Sequence, residues 1–296
     1  MNYPALTLLL ACFFCSGPLH AQQPPAQNEL RELFLEGQQQ AARERIDRAE
    51  AILAQLQEAN YSLAPYLELS ILLHRAADMQ PQEVRNFMQR YPGTWLAEKL
   101  RLNYLLHLRG DRNYEQYIAF WAEGTGEESQ RCFYLESLHR TGQLQQAWQG
   151  AKAMWLHGES RSDSCDYIFA RWRRSDDFSE EYSWQRYILA RRAGERSLSD
   201  YLTRLINDNA IELRIEAYQA IRREPELLLE VDAFISGGPG YAAVIAQGLR
   251  NLAESDMDSV LRLWPAYRDS GVLDNDNLHY FLDDFVERMV ERRDPQ

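Results

Sequence analysis

Forty leucines stand against seven valines and five threonines in this 296-residue chain. Leucine keeps its rotamer freedom in a helix, whereas β-branched side chains prefer the pleated surface of a strand. A chain with this imbalance has little from which to build a sheet. Beyond the first residues, no stretch alternates apolar and polar positions at period two. Apolar residues return instead at spacings of three and four, the mark of one buried face on a helix. The expected fold class is all-α, with about thirteen short helices and short connections between them. Helix pairs stacked in a row make an α-superhelix, or solenoid.

The punctuation agrees with this reading. One long helix is expected over residues 28–59, with Leu30, Leu33, Phe34, Gly37 and Ala41 in a stripe continued by Ile46, Ala49, Leu53 and Leu56. Pro65 and Pro81 suit first turns of helices, where a missing N–H costs nothing. Tyr91-Pro92-Gly93 breaks the pattern, and Thr94 can cap the helix that follows. Gly110, Gly124, Gly142, Gly158, Gly194 and Gly271 read as stops.

Apolar residues make up 45% and charged residues 26%, as in folded globular proteins. The net charge of −12 and pI near 5.1 argue against a general nucleic-acid binder. Thirty of the 32 basic residues are arginine, the exceptions being Lys99 and Lys152. Arginine grips carboxylates bidentately, yet a GC-rich genome preferring arginine codons is the favoured explanation, and the abundance alone implies no ligand.

Residues 1–21 carry no charged side chain. An apolar run from Ala5 to Cys15 is followed by Ser16-Gly17-Pro18 and Leu19-His20-Ala21. The run is too short to span a bilayer and suits the core of a secretory signal. Cleavage is expected between Ala21 and Gln22. The segment Leu9-Leu10-Ala11-Cys12 also resembles a lipoprotein box, so a lipidated form is the alternative. Residues 22–27 read as a polar disordered lead and 28–296 as the superhelical domain. No later segment holds 18 uninterrupted apolar residues, so no membrane contact is expected after signal removal. Removal of the leader leaves Cys132 and Cys165 as an even pair in an exported chain. That favours one disulfide over two buried thiols. In the chain-entropy view the bridge contributes roughly 3–4 kcal/mol.

The chemistry-bearing patterns are sparse. There is no His-Glu-x-x-His, and the histidines are scattered, so no metal is expected. No Gly-x-Ser-x-Gly occurs. Gly237-Gly238-Pro239-Gly240 is a glycine-rich loop without P-loop spacing, and a turn between helices is the simpler reading. Asp176-Asp177 and Asp283-Asp284 read as solvated helix ends. Six tryptophans, Trp95, Trp121, Trp148, Trp155, Trp172 and Trp184, fall within 90 residues. Core packing between helices is favoured for them over a sugar-stacking surface.

Three segments carry a resemblance. They are Tyr61-Ser-Leu-Ala-Pro-Tyr-Leu-Glu-Leu69, Phe87-Met-Gln-Arg-Tyr-Pro-Gly-Thr-Trp-Leu-Ala-Glu-Lys-Leu-Arg101 with Gly110-Asp111, and Cys165-Asp-Tyr-Ile-Phe-Ala-Arg-Trp172 with Trp184-Gln-Arg186. In this order they resemble the N-terminal, U-shaped superhelical domain of the soluble lytic murein transglycosylases of Gram-negative bacteria. Glu224-Pro-Glu-Leu-Leu-Leu229 and Gly248-Leu249 fit as well. The resemblance implies an all-helical U-shaped domain, a periplasmic location, peptidoglycan as substrate and a bridge between Cys132 and Cys165. Catalytic members of the family cut between N-acetylmuramic acid and N-acetylglucosamine, leaving a 1,6-anhydro end. They do so with one Glu of a C-terminal lysozyme-like domain, in a Glu-Ser motif followed by Gly-Leu-Met-Gln. Here the Glu-Ser pairs are Glu128-Ser129, Glu136-Ser137, Glu159-Ser160 and Glu254-Ser255, and Gly-Leu-Met occurs nowhere. No catalytic residue, metal or cofactor carries over. Three functions remain: a non-catalytic module that binds murein or docks a catalytic partner, the N-terminal part of a split or truncated transglycosylase, and a periplasmic protein-interaction scaffold.

Overall fold

A computed structural model describes residues 27–75, 78–124 and 126–292. The expected leader, its cleavage point between Ala21 and Gln22, and the lead as far as Ala26 lie outside the described residues. The described residues form sixteen α-helices with short 3-10 turns and no strand, an all-α solenoid. They fall into two compact units that divide between His107 and Leu108.

The first unit holds α1 (Gln27–Ala42), α2 (Ile46–Glu58), α3 (Ala64–His74), α4 (Pro81–Arg90) and most of α5 (Trp95–Gly110). The expected single helix over 28–59 is two helices. Glu44 takes a left-handed φ of 57°, and the Arg45 N–H turns back to the Gln40 carbonyl at 2.9 Å. No Gly or Pro marks this break. Its cause is tertiary: α1, α2 and α3 all pack on one another. The reversal sets Ala41, Ala49, Leu56 and Leu67 into one core, which a continuous rod would leave half exposed. The prolines act as expected, Pro65 and Pro81 sitting in first turns. Thr94 Oγ1 accepts the Ala97 N–H at 3.3 Å at the start of α5.

The second unit begins with α6 (Tyr114–Phe120), α7 (Glu128–Arg140), α8 (Leu144–Trp155), α9 (Asp166–Trp172), α10 (Glu180–Arg192) and α11 (Arg196–Thr203). It continues with α12 (Asn209–Arg223), α13 (Val231–Ile235), α14 (Ala242–Ser255), α15 (Met257–Asp269) and α16 (Asn275–Arg292). Each helix rests on its neighbours along the chain: α6 on α7, α7 on α8 and α9, α10 on α11 and α12, and α14 on α12, α15 and α16. One apolar core runs through the unit from Cys132 to Met289. Several of these helices are too short for a periodic signal, which is why about thirteen were expected. Asp284 corrects another expectation. It lies inside α16, half-buried, with Arg250 at 3.1 Å and Arg288 at 2.7 Å, whereas Asp283 stays exposed.

Side-chain caps join successive layers. The Glu180 carboxylate at the start of α10 accepts the backbone N–H of Asn207 at 2.7 Å and of Asp208 at 2.9 Å. Asp208 itself caps α12, accepting from Ala210 and Ile211. Burial raises the Glu180 pKa, but the two backbone donors outweigh it and hold the group below its ordinary 4.5. Its stabilising effect is therefore complete above that ordinary value and fades as pH falls below it. Glu180→Ala is expected to cost about 1–2 kcal/mol at pH 7 in urea unfolding. The gap from the wild type should narrow at acid pH. An equal gap at pH 7 and pH 3.5 would contradict the assignment.

Candidate functional site

The aromatic residues between α8 and α10 build the centre of the second unit. Trp148, Trp155, Trp172 and Trp184 are buried, as core packing requires, whereas Trp95 is 65% exposed. The Trp155 ring meets Phe169 at 5.2 Å and Trp172 at 6.2 Å, both edge-on. Its Nε1–H donates to the Tyr182 carbonyl at 3.0 Å. Edge-on rings of this kind fix a packing geometry as well as burying area.

A charge sits in this apolar layer. Arg186 lies on the buried face of α10 with Ser183, Trp184, Tyr187 and Ala190, and only 3% of it is exposed. Its guanidinium carbon is 4.4 Å from the Trp155 ring centre and 5.5 Å from that of Phe169. A cation on an aromatic face recovers part of its lost hydration, about 2 kcal/mol when desolvated. Its hydrogen bonding is incomplete. Nη2 donates to the Glu159 carbonyl at a long 3.4 Å, and Nε–H has no partner. Among the described residues no carboxylate forms an ion pair with it. Burial, and then the nearby Arg161, pull its pKa down to about 10, which leaves it cationic at neutral pH.

Arg186 forms the floor of a cleft of about 480 Å³ between the end of α8, the loop after it, α9, α10 and α11. Arg161 and Arg173 also line it, with Asp166 as the one acid. Arg161 donates to Glu128 at 2.7 Å and to the Met154 carbonyl at 3.0 Å. Arg173 donates to the Tyr201 hydroxyl at 3.0 Å. Phe169, Ala170 and Leu198 supply an apolar wall. The volume falls in the range of small-molecule sites.

The loop at the rim is held from three directions. At Gly158 an added Cβ would lie 2.7 Å from the Leu189 carbonyl oxygen on α10. Glycine therefore lets the loop close on that helix and carries the Glu159 carbonyl to Arg186. Glu128 accepts the Ser162 N–H at 2.6 Å besides its pair with Arg161. Cys132 on α7 and Cys165, at the end of the 3-10 turn Asp163–Cys165, are fully buried with sulfurs within bonding distance and Cα atoms 4.9 Å apart.

The other sequence candidates sit elsewhere. The Gly237–Gly240 turn leads through the 3-10 turn Gly238–Tyr241 into α14. There Arg214 clasps Glu181 with bonds of 2.7 and 3.1 Å. Arg192 donates to Asn277 at 2.6 Å and stacks at 3.6 Å on Tyr280. The Arg192 Nε–H is unpartnered like that of Arg186, but Arg192 has a short side-chain partner and is only half-buried, whereas Arg186 is buried with one long bond to a backbone carbonyl. Of the Glu-Ser glutamates, Glu128, Glu136 and Glu254 pair with Arg161, Arg140 and Arg288, and Glu159 is exposed. Among the described residues no three metal-ligating side chains gather. Arg186 was not a sequence candidate. Its signal was a basic residue on the apolar stripe of α10, three positions from Ser183 and four from Ala190.

No family model matches the chain. In sequence it is similar to the soluble lytic murein transglycosylase of Escherichia coli, 32% identical over 139 residues, which is 47% of this chain and 22% of that protein. The Salmonella typhimurium protein of that description is 28% identical over 179 residues, 60% of this chain and 27% of the relative. The chain thus spans about a quarter of the curated relatives it matches. Two solved structures share the fold over 90% of the chain and 42% of their own length. An inactive variant of the lytic transglycosylase Slt from Pseudomonas aeruginosa has a TM-score of 0.65 at 24% identity. The 70-kDa soluble lytic transglycosylase of Escherichia coli has a TM-score of 0.58 at 23% identity. The chain therefore resembles part of the soluble lytic murein transglycosylases in sequence and shares their fold.

Because a backbone oxygen cannot swing aside, Gly158→Ala should push the loop off α10. The expected cost is about 1–3 kcal/mol in urea unfolding. A neutral or stabilised variant would contradict the close approach.

Proposed function

We propose that this chain is a periplasmic, murein-binding superhelical module of the soluble lytic transglycosylase kind. It holds the glycan or seats a catalytic partner, and does not cut the glycan with its own residues. The observation that carries the reading is the sequence similarity to murein transglycosylases, joined to a fold shared over nine-tenths of the chain. The reading assigns the chemistry to a lysozyme-like domain outside these 296 residues, on this polypeptide or another. A general acid needs a carboxyl kept protonated beside the glycosidic oxygen. Support for a non-catalytic role comes from Glu128, Glu136 and Glu254, which are each committed to an arginine.

The assay is incubation of the purified chain with peptidoglycan sacculi. The expected result is co-sedimentation of the protein and no soluble anhydro-muropeptide by mass spectrometry. Anhydro products would overturn the non-catalytic part. Protein left in the supernatant, together with specific capture of a periplasmic protein, would favour the scaffold reading instead.

Export is part of this proposal, through the leader cleaved between Ala21 and Gln22, and so is a Cys132–Cys165 bridge formed afterwards. Thiol alkylation of the mature chain, unfolded in urea so that both buried sulfurs are accessible, should label neither cysteine until reductant is added. Reduction should then lower the unfolding free energy by about 2–4 kcal/mol. Labelling of both cysteines without reductant would contradict the bridge.

A further inference from the structure

We infer that the cleft above Arg186 is a binding site for a carboxylate carried on a short apolar stem, such as the stem-peptide carboxylates of murein. That it takes an anion rests on the geometry alone. That the anion comes from murein rests on the function proposed above.

Three features point the same way. The first is the unspent donor. Arg186 is 97% buried, since 3% is exposed, and its Nε–H is unpartnered. A buried donor without an acceptor is costly. The Nε–H groups of Arg101, Arg191 and Arg192 are also unpartnered, but those side chains are only half-buried, whereas Arg186 is buried and lines a cleft with two further arginines. The second is charge. Arg161, Arg173 and Arg186 bring three positive charges to the cleft. Asp166 in the lining and Glu128 behind Arg161 bring two negative ones. One positive charge is left over, in a protein whose net charge is −12. A local cationic excess in a cleft of an acidic protein has the field to draw in an anion. The third is shape. Guanidinium groups offer paired donors that match the two oxygens of a carboxylate. The wall of Phe169, Ala170 and Leu198 beside them suits a small aliphatic group next to that carboxylate. The Tyr201 hydroxyl, already accepting from Arg173, has its proton free to donate to the same ligand.

The cleft also explains part of the sequence pattern. Asp166, Phe169 and Ala170 come from the segment Cys165–Trp172, and Arg186 from Trp184-Gln-Arg186. Arg186 reaching the Phe169 ring brings these two separate stretches together over one volume.

The test uses the whole chain and three probes: muropeptides from a lysozyme digest of sacculi, the same muropeptides methyl-esterified, and N-acetylalanine. Binding is read by calorimetry and by the change in intrinsic tryptophan fluorescence, to which Trp155 against Arg186 contributes. Arg173→Gln is the principal variant, because Arg173 is only partly buried and its loss leaves the core intact. Arg186→Lys is the second, with circular dichroism and the urea midpoint as folding checks. The expected result is saturable binding of muropeptides, weakened at least about tenfold by esterification and by Arg173→Gln, with an unchanged urea midpoint for Arg173→Gln. Muropeptide binding that ignores both changes would overturn the cleft while leaving the murein reading intact. Binding of N-acetylalanine that depends on Arg173, without binding of muropeptides or sacculi, would uphold the anion site and overturn its murein source. No saturable binding of any probe would overturn the inference outright.

Discussion

Helices of five to eighteen residues cannot hold themselves together in water, and the described residues build nothing else but short 3-10 turns. Each buries its apolar stripe only against the helices beside it, so the fold is a succession of mutual dependences. Within the second unit one apolar core passes from α7 to α16. Glu180 and Glu128 reach across layers to cap or clamp the backbone of another element. The same demand sets the loops. A connection survives only if it folds back far enough for the next helix to find its neighbour, as the reversal at Glu44 shows.

That dependence explains where the cleft lies. Short helices stacked by ridges and grooves leave gaps where three or four of them converge. At the convergence of α8, α9, α10 and α11 the gap is filled from below by Trp155, Phe169 and Trp172, and from one side by a guanidinium. Arg186 does two jobs there. Its flat face packs on Trp155 like another ring, and its N–H groups remain polar where the rings are not. The loop with Gly158 and Cys165 closes the rim, so structural restraint and candidate binding chemistry occupy the same few residues.

Much of this was legible in the sequence. The leucine excess and the scarcity of valine and threonine argue against a sheet, and the described residues hold none. Thr94, Pro65 and Pro81 mark helix starts because their local chemistry acts alone. The resemblance carried by Cys165–Trp172 and Trp184-Gln-Arg186 matches the sequence similarity and the shared fold. What escaped depends on partners distant in the chain. The break between α1 and α2 has no local breaker and follows from packing on α3. Asp284 reads as a surface acid until Arg250, 34 residues away, is placed beside it. Arg186 reads as one arginine among thirty until the rings of α8 and α9 close over it.

The central claim is that this module meets murein, and that it does so through the cleft above Arg186. A crystal structure of the chain grown with a muropeptide tests it most directly. The account predicts density for a carboxylate within hydrogen-bonding distance of Arg173 and of the Arg186 Nε–H, with its aliphatic neighbour against Leu198 and Phe169. A muropeptide bound on another surface, with the Arg186 cleft holding only water, would contradict it.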